Sequence, residues 1–375
     1  MKIVSLFDGM ACGMLAMLGA NVDVDEYYAY EIDKYAVQTA THNFPNIIEC
    51  GDVFKADFTQ YKDVDFIVGG SPCTYWSIAQ KNNRETEASG LGWELFSQYV
   101  RALNEIKPQF FIYENNKSMS KAIRESITEA FGFDAICINS ALVSAQNRQR
   151  LYWVGKRNED GTYSKVDVQQ PEDRGILLRD ILDSGMDLTS RDKSFAYTTR
   201  CNSAIPEDTI KRNRHTMVAE PICTASEGKS HTLKAQYYKN GMANFITNGG
   251  FSSSAVAEPV NITNEGKAQC VRATCYCEWD NDGTPTKAIS SSDGKTYTVY
   301  SVSNGIIVIK GKEYPIKLKD GYYIIRKLSV NECKRLQTVP EWYEFPVSNA
   351  QAYKMLGNGW TVEVIVHLIK SCLTT

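Results

Sequence analysis

Asp65-Phe66-Ile67-Val68-Gly69-Gly70-Ser71-Pro72-Cys73 is an apolar run that ends in a glycine turn and a thiol. Phe110-Phe111-Ile112-Tyr113 repeats the pattern and ends in Glu114-Asn115. Continuous apolar runs of this length suit strands buried on both faces of a parallel sheet. Parallel strands point their carboxyl ends at a shared crevice where ligands bind, so Cys73 and Glu114 are expected to face one pocket. A thiol and a carboxyl converging on an electron-poor ring suit one chemistry: the thiolate adds to a ring carbon while the acid supports charge on a ring nitrogen. Taken alone, an isolated Cys is more often a small buried hydrophobe.

Outward from these two strands, the first 155 residues alternate short apolar runs with helical patterns, the signature of an α/β protein with a doubly wound parallel sheet. Strands are expected at 2–7, 27–31, 65–69, 109–114, 135–143 and 150–154, and helices at 12–18, 34–42, 92–107 and 118–131. After Lys156 the composition shifts to Ser, Thr, Asn, Gly and Tyr with many turn signals, which reads as a smaller irregular, β-rich domain to residue 325. Within it, Glu220-Pro221, Glu227-Gly228-Lys229, Ala235 and Tyr238 recur 38 residues later as Glu258-Pro259, Glu265-Gly266-Lys267, Ala273 and Tyr276. Two copies are too few for a solenoid and suggest two similar β units. Helical patterns return at 330–337, 348–355 and 362–372 and are expected to pack back on the first domain, giving 1–155 plus 326–375 against 156–325.

With 375 residues there is ample length for a real core. Formal net charge is −3, a weak argument against a polyanionic partner. The charge is uneven, however: residues 1–155 hold 13 Lys+Arg against 19 Asp+Glu, and the remainder 28 against 25. Eleven cysteines without a dense framework indicate free thiols in a reducing compartment. Cys270, Cys275 and Cys277 have no matching second ligand pair, so no metal site is expected. The start, Met1-Lys2-Ile3-Val4-Ser5, runs into a strand rather than a secretory signal, and no apolar stretch has a membrane span's length. A soluble, cytoplasmic, monomeric protein is expected.

Phe7-Asp8-Gly9-Met10-Ala11-Cys12-Gly13 is a glycine-bearing turn that feeds a helix, where backbone can approach a ligand and the helix N-terminus favours an anion. Glu31 ends the second strand, placed to accept the hydroxyls of a ribose, and Asp52 follows a short third strand where it can meet an adenine amine. This order of features points to a nucleoside cofactor.

The blocks Phe7-Asp8-Gly9…Gly13, Glu31, Asp52, Gly70-Ser71-Pro72-Cys73, Glu114-Asn115, Gln146-Asn147-Arg148-Gln149-Arg150, Arg326-Lys327-Leu328-Ser329 and Gly357-Asn358-Gly359 together resemble the cytosine-C5 DNA methyltransferases of bacteria and phages. The resemblance spans nearly the whole chain. It implies a Rossmann-like methyltransferase domain that binds S-adenosylmethionine and releases S-adenosylhomocysteine, with 156–325 as a target-recognition domain. By the same resemblance, Cys73 would add to cytosine C6, Glu114 would bond N3 and the exocyclic amine, Arg150 would hold O2, and Arg148 would support the active-site loop and a nearby phosphate. The cofactor would lie against Phe7, Asp8, Gly9, Met10, Gly13, Glu31, Ile32, Asp52, Val53, Ser71, Pro72, Asn358 and Gly359.

A stacked base is out of reach, so the cytosine must be flipped from double-stranded DNA. The stretch 74–92 would close over it, with Thr74, Tyr75, Trp76, Ser77, Lys81, Arg84 and Gln146 toward the DNA. In the recognition domain, Arg191, Arg200, Lys211, Arg212, Arg214, Lys229, Lys234, Lys239 and Arg272 are candidates for base edges or phosphates. Thr74 stands where the family commonly has Gln, Asn116 where Val is typical, and Gly359 where Ser is common. A cognate restriction endonuclease is one partner this reading allows. Methylation of tRNA is the alternative within the class, though the long insert favours DNA. A DNA-binding protein of this fold with little activity would be expected to lack Cys73, Glu114 or Arg150, and a nucleotide-dependent oxidoreductase does not account for Pro72-Cys73 with Glu114.

Overall fold

The computed structural model describes residues 1–77, 84–222, 277–279, 285–290 and 294–375. Strands β1 (Lys2–Leu6), β2 (Glu26–Tyr30), β3 (Ile48–Glu49), β4 (Phe66–Gly69) and β5 (Phe110–Asn116) are parallel, in the order β3-β2-β1-β4-β5. All four residues of β4 are buried, as its unbroken apolar run requires. The sheet is not parallel throughout. Beyond β5 lies β8 (Gln149–Arg157), antiparallel both to β5 and to β6 (Ile136–Asn139) at the sheet edge. A parallel return needs a crossover of a dozen or more residues, and the link 140–148 is too short. The strand expected over 135–143 stops early for a local reason: the Asn139 side chain accepts from Ala141 N and starts a 3-10 turn, Ser140–Leu142. Within the link, β7 (Gln146–Asn147) pairs with β11 (Ser194–Phe195), and β9 (Tyr163–Lys165) extends the sheet from β8.

Four of the expected helices form where the periodicity put them. α1 (Cys12–Gly19) packs on α9 (Val362–Leu373) so closely that a Cβ on Gly19 would come within 2.7 Å of Val366. α2 (Lys34–Asn43) is capped by Asp33, whose carboxylate accepts from Tyr35 N. α3 (Gly90–Ile106) and α4 (Lys121–Phe131) cover β4, β5 and β8 through a cluster of rings in which Tyr99 and Tyr113 centroids lie 4.9 Å apart and Phe96 and Tyr113 5.2 Å. Gly132 closes α4 at φ 82°, as its position in the sequence predicts.

Two compact units divide the chain: 1–177 with 193–199 and 333–375, and 178–192 with 200–332. The division expected from composition, at 155/156 and 325/326, differs for identifiable reasons. β8 continues to Arg157 and Val166 N still bonds Val154 O, which keeps the following residues with the first sheet. At the other end, Arg326 lies in β18 (Gly321–Lys327), paired with Val218 of β12 (Met217–Pro221).

The second unit is β-rich: β10 (Met186–Asp187), β12, β18, β15 (Thr296–Ser303), β14 (Pro285–Ile289) and β13 (Cys277–Trp279) form an antiparallel sheet in that order, with β16 (Ile306–Ile309) and β17 (Lys312–Pro315) as a hairpin beside β15. Alternation in β16 buries Ile307 and Ile309 while Ile306 and Val308 face out. Short helices α5 (Leu178–Ile181) and α6 (Pro206–Arg212) accompany the sheet, and α7 (Val330–Leu336) and α8 (Asn349–Asn358) follow β18. Most of the 38-residue echo, from 223 to 276, lies outside the described residues.

Candidate active site

The carboxyl ends of β1, β2, β4 and β5 open into a cavity of about 230 Å³, completed by the end of α8 and the residues after it. Phe7, Asp8, Gly9, Met10, Glu31, Ser71, Pro72, Asn358 and Gly359 line it, together with Cys73, Thr74 and Glu114. The turn after β1 is forced through positive φ at Phe7 (58°), Gly9 (62°) and Ala11 (59°). Glu31 fixes that turn: one carboxylate oxygen accepts from Gly9 N at 2.8 Å, the other from Ile32 N and Asp33 N, each at 2.8 Å.

Asp8 is the most unusual group here. Its Oδ1 accepts from Ser5 Oγ at 2.5 Å and Tyr27 Oη at 2.7 Å, whereas its buried Oδ2 has no partner. Burial pushes its pKa up to about 6 against these hydrogen bonds, and nearby Glu31 adds to the rise. Glu49, both oxygens buried and unpartnered, is pushed up to about 7 by burial first and then by Asp8 and Glu31. The sign for stability follows. A carboxyl raised in the fold contributes most below its unfolded pKa, near 4, and loses that contribution as pH rises through about 6. Asp8→Asn should therefore gain stability relative to the wild type by about 3 kcal/mol between pH 4 and pH 7, measured as the difference of two urea-unfolding series. A difference that stays flat with pH would contradict it.

Cys73 stands in a 3-10 turn (Cys73–Tyr75) directly after Pro72. Burial raises its thiol pKa, and the Arg150 guanidinium opposes that rise. Glu114 and Arg150 lie on one face of the β5/β8 pair because Glu114 is opposite Tyr152, two residues from Arg150. Arg150 Nε is 3.0 Å from Glu114 Oε1, and Trp360 Nε1 donates to Glu114 Oε2 at 2.9 Å. Gly70 must lack a side chain: a Cβ would lie 2.7 Å from Glu114 O and 3.0 Å from its Oε2. Asn115 is buried, donating to Ser71 O and Tyr113 Oη at 3.1 Å each, which anchors the loop before Cys73. Asn116 reaches Cys73 O at 3.4 Å, so the departure from Val adds a tie to the same turn.

The sequence matches the C-5 cytosine-specific DNA methylase family over residues 1–374. The chain belongs to that family. Among curated relatives, the orphan methyltransferase M.SPRI of Bacillus phage SPR is 25% identical, the alignment covering 100% of this chain and 98% of the relative. The type II methyltransferase M.NlaX of Neisseria lactamica is also 25% identical, covering 97% and 93%. Of solved structures, the S. pombe Dnmt2 methyltransferase superposes with a TM-score of 0.53 at 12% identity, and the Entamoeba histolytica methyltransferase EhMeth with 0.55 at 11%, each covering 100% of this chain and 98% of the other. These structures share the mixed α/β fold. The two relatives are named as methyltransferases, one orphan and one type II.

Several residues expected at the methylase's ligand surfaces have other places. Arg148 is 3% exposed, and its guanidinium donates to the carbonyls of Tyr197 (2.7 Å), Gly357 (3.3 Å) and Gly359 (2.8 Å), so it has no free edge for a phosphate. Gln146 is fully buried, donating to Leu336 O and Gln337 Oε1 and accepting from Tyr197 N, and is not on a DNA surface. Trp76 is likewise fully buried, its indole N–H on Glu85, and Arg84 is turned inward onto the carbonyls of Trp76 and Ser118. Gly13 does not line the cavity, since a Cβ there would strike Tyr27 Oη at 2.5 Å: the glycine serves helix–sheet packing. Ile32 is 78% exposed and outside the lining, as are Asp52, which accepts from Phe54 N, and the buried Val53.

Tyr75 packs partly buried on the core, and Ser77 is half-buried. In the second unit Arg212 pairs with Asp208 at 3.5 Å on an exposed face, and Arg214 is exposed. Lys81, Lys229, Lys234, Lys239 and Arg272 lie outside the described residues. Conversely, Cys12, Asp33, Ala36, Lys354, Met355 and Trp360 line the cavity without having been expected there. Trp360 was findable, as it directly follows Gly357-Asn358-Gly359; Lys354, held to Asp33 at 2.6 Å, has no sequence signal.

Proposed function

We propose that this methylase transfers a methyl group to C5 of a flipped-out cytosine in double-stranded DNA through a covalent Cys73–C6 adduct. The observation that supports the reading is that Cys73 and Glu114 line one cavity, with Arg150 Nε 3.0 Å from Glu114 Oε1 on the same face of the β5/β8 pair. Asp8, Glu31 and Asp33 against Lys354 give the cofactor side an acidic lining, which suits a sulfonium cation such as S-adenosylmethionine. Asp8, with its unpartnered oxygen, and Glu31 would hold it with the backbone of the turn after β1. When bound, S-adenosylmethionine supplies the methyl group.

The chain's own residues do the rest. Cys73 Sγ, as thiolate, bonds to C6, and the ring electrons move toward C5 and N3. Glu114 shares a proton with N3 and accepts from the exocyclic amine, while Arg150 holds O2. After methylation, loss of the C5 proton expels the Cys73 thiolate and restores the ring. Arg148 takes a different part from the one its motif implied: it fixes Gly357 and Gly359 at the cavity wall. Thr74 and the loop to Gly92 would close on the base, and Arg212, Arg214, Lys229, Lys234 and Arg272 would contact the duplex.

Bisulfite sequencing of plasmid DNA from cells expressing the protein tests the reading. Protected cytosines in one fixed sequence context are expected, absent with Cys73→Ala. Full conversion with the wild type, alongside methyl transfer to tRNA from the labelled cofactor, would replace DNA by RNA as substrate.

A further inference from the structure

Both oxygens of Glu114 are already engaged: Oε1 with Arg150 and Oε2 with the indole N–H of Trp360. A carboxylate offers about four lone-pair sites, so two remain, the number needed to meet N3 and the exocyclic amine of one cytosine. Trp360 is itself held firmly. The carbonyl before it, on Gly359, takes the Arg148 guanidinium at 2.8 Å. Its ring lines the same cavity as Glu31 and Asp8.

We infer that Trp360 is a positioning residue that fixes the plane of the Glu114 carboxyl and links that plane to occupancy of the cofactor cavity. Arg150 alone restrains one oxygen and leaves the group free to swing about that contact. The indole restrains the second, and a ligand packed beside the ring holds the indole in turn. Cofactor binding thereby readies the carboxyl for the base. The inference rests on the proposed roles of Glu114 and the cavity.

The test is to replace Trp360 by its benzothienyl isostere, which exchanges only N–H for S, and by Phe. Steady-state kinetics with labelled S-adenosylmethionine and substrate DNA, and adduct formation on a 5-fluorocytosine duplex with S-adenosylhomocysteine present or absent, are compared with the wild type. The isostere is expected to lower kcat and the adduct rate by about ten- to a hundredfold, the scale of a hydrogen bond to a charged group, with the cofactor KM within about twofold. S-adenosylhomocysteine is expected to accelerate adduct formation by the wild type, and the isostere should lose that acceleration. A raised cofactor KM with unchanged kcat would make Trp360 only a cavity wall and overturn the inference. Phe should behave as the isostere does; Phe impaired beside a normal isostere would show that ring volume, not the N–H, matters. A wild type that forms no adduct at all would instead overturn the reading of Glu114 and Cys73.

Discussion

Cys73→Ala is expected to abolish methyl transfer, by about four orders of magnitude or more, while leaving S-adenosylhomocysteine binding intact. No other described cysteine can replace it: Cys12, which lines the same cavity, is fully buried, and its thiol is pushed up to about 12 by that burial. The pH dependence distinguishes the role of Cys73 from simple packing. Burial raises the Cys73 thiol, and Arg150 is the largest influence in the opposite direction. The thiolate fraction, and with it the rate of adduct formation, should climb from neutral into alkaline pH. Arg150→Met removes the opposing charge, so the climb should shift to higher pH and part of the lost rate should return there. If Arg150→Met is slower by the same factor at every pH, Arg150 acts only on the base, and its influence on the thiol is of no kinetic consequence. The measurement is single-turnover adduct formation on a 5-fluorocytosine duplex between pH 6 and pH 9.

The parts of this protein that could be read from sequence are those in which local pattern and tertiary role coincide. Unbroken apolar runs gave β4 and β5, and the residues at their carboxyl ends, Cys73 and Glu114, do line one cavity. The antiparallel insertion of β8 was invisible to periodicity, because strand direction is settled by how far the chain has to travel between strands. Polar motif residues misled for a related reason. Gln146, Arg148 and Trp76 sit beside reactive positions in sequence, but a guanidinium, an amide or an indole N–H serves equally well as an internal tie to backbone carbonyls or a carboxylate. Which use is made depends on carbonyls of Tyr197, Leu336, Gly357 and Gly359, distant in the chain. Trp360 shows the converse, a site residue whose importance lies in a partner 246 positions away.

The Arg-x-Leu-Ser block makes the same point in the second unit, and it carries the largest expected effect on stability. Arg326 is 1% exposed; its Nε meets Glu220 Oε2 at 3.0 Å, and its two terminal nitrogens meet Glu332 at 2.8 and 2.9 Å. Ser329 and Glu332 cap the start of α7 reciprocally, Ser329 N donating to Glu332 Oε2 at 2.7 Å and Glu332 N to Ser329 Oγ at 3.1 Å. One buried cation thus holds β12, β18 and the helix start together. Its removal in Arg326→Met leaves two buried carboxylates without their counter-charge, which should cost about 3–5 kcal/mol. Glu332→Gln should cost less, about 1–3 kcal/mol, since Gln retains the cap and Arg326 retains Glu220. The decisive comparison is Arg326→Met combined with Glu220→Gln and Glu332→Gln. If uncompensated charge is the cause, this triple variant is more stable than Arg326→Met alone; if lost packing is the cause, it is no better. Urea unfolding followed by far-UV circular dichroism makes the comparison.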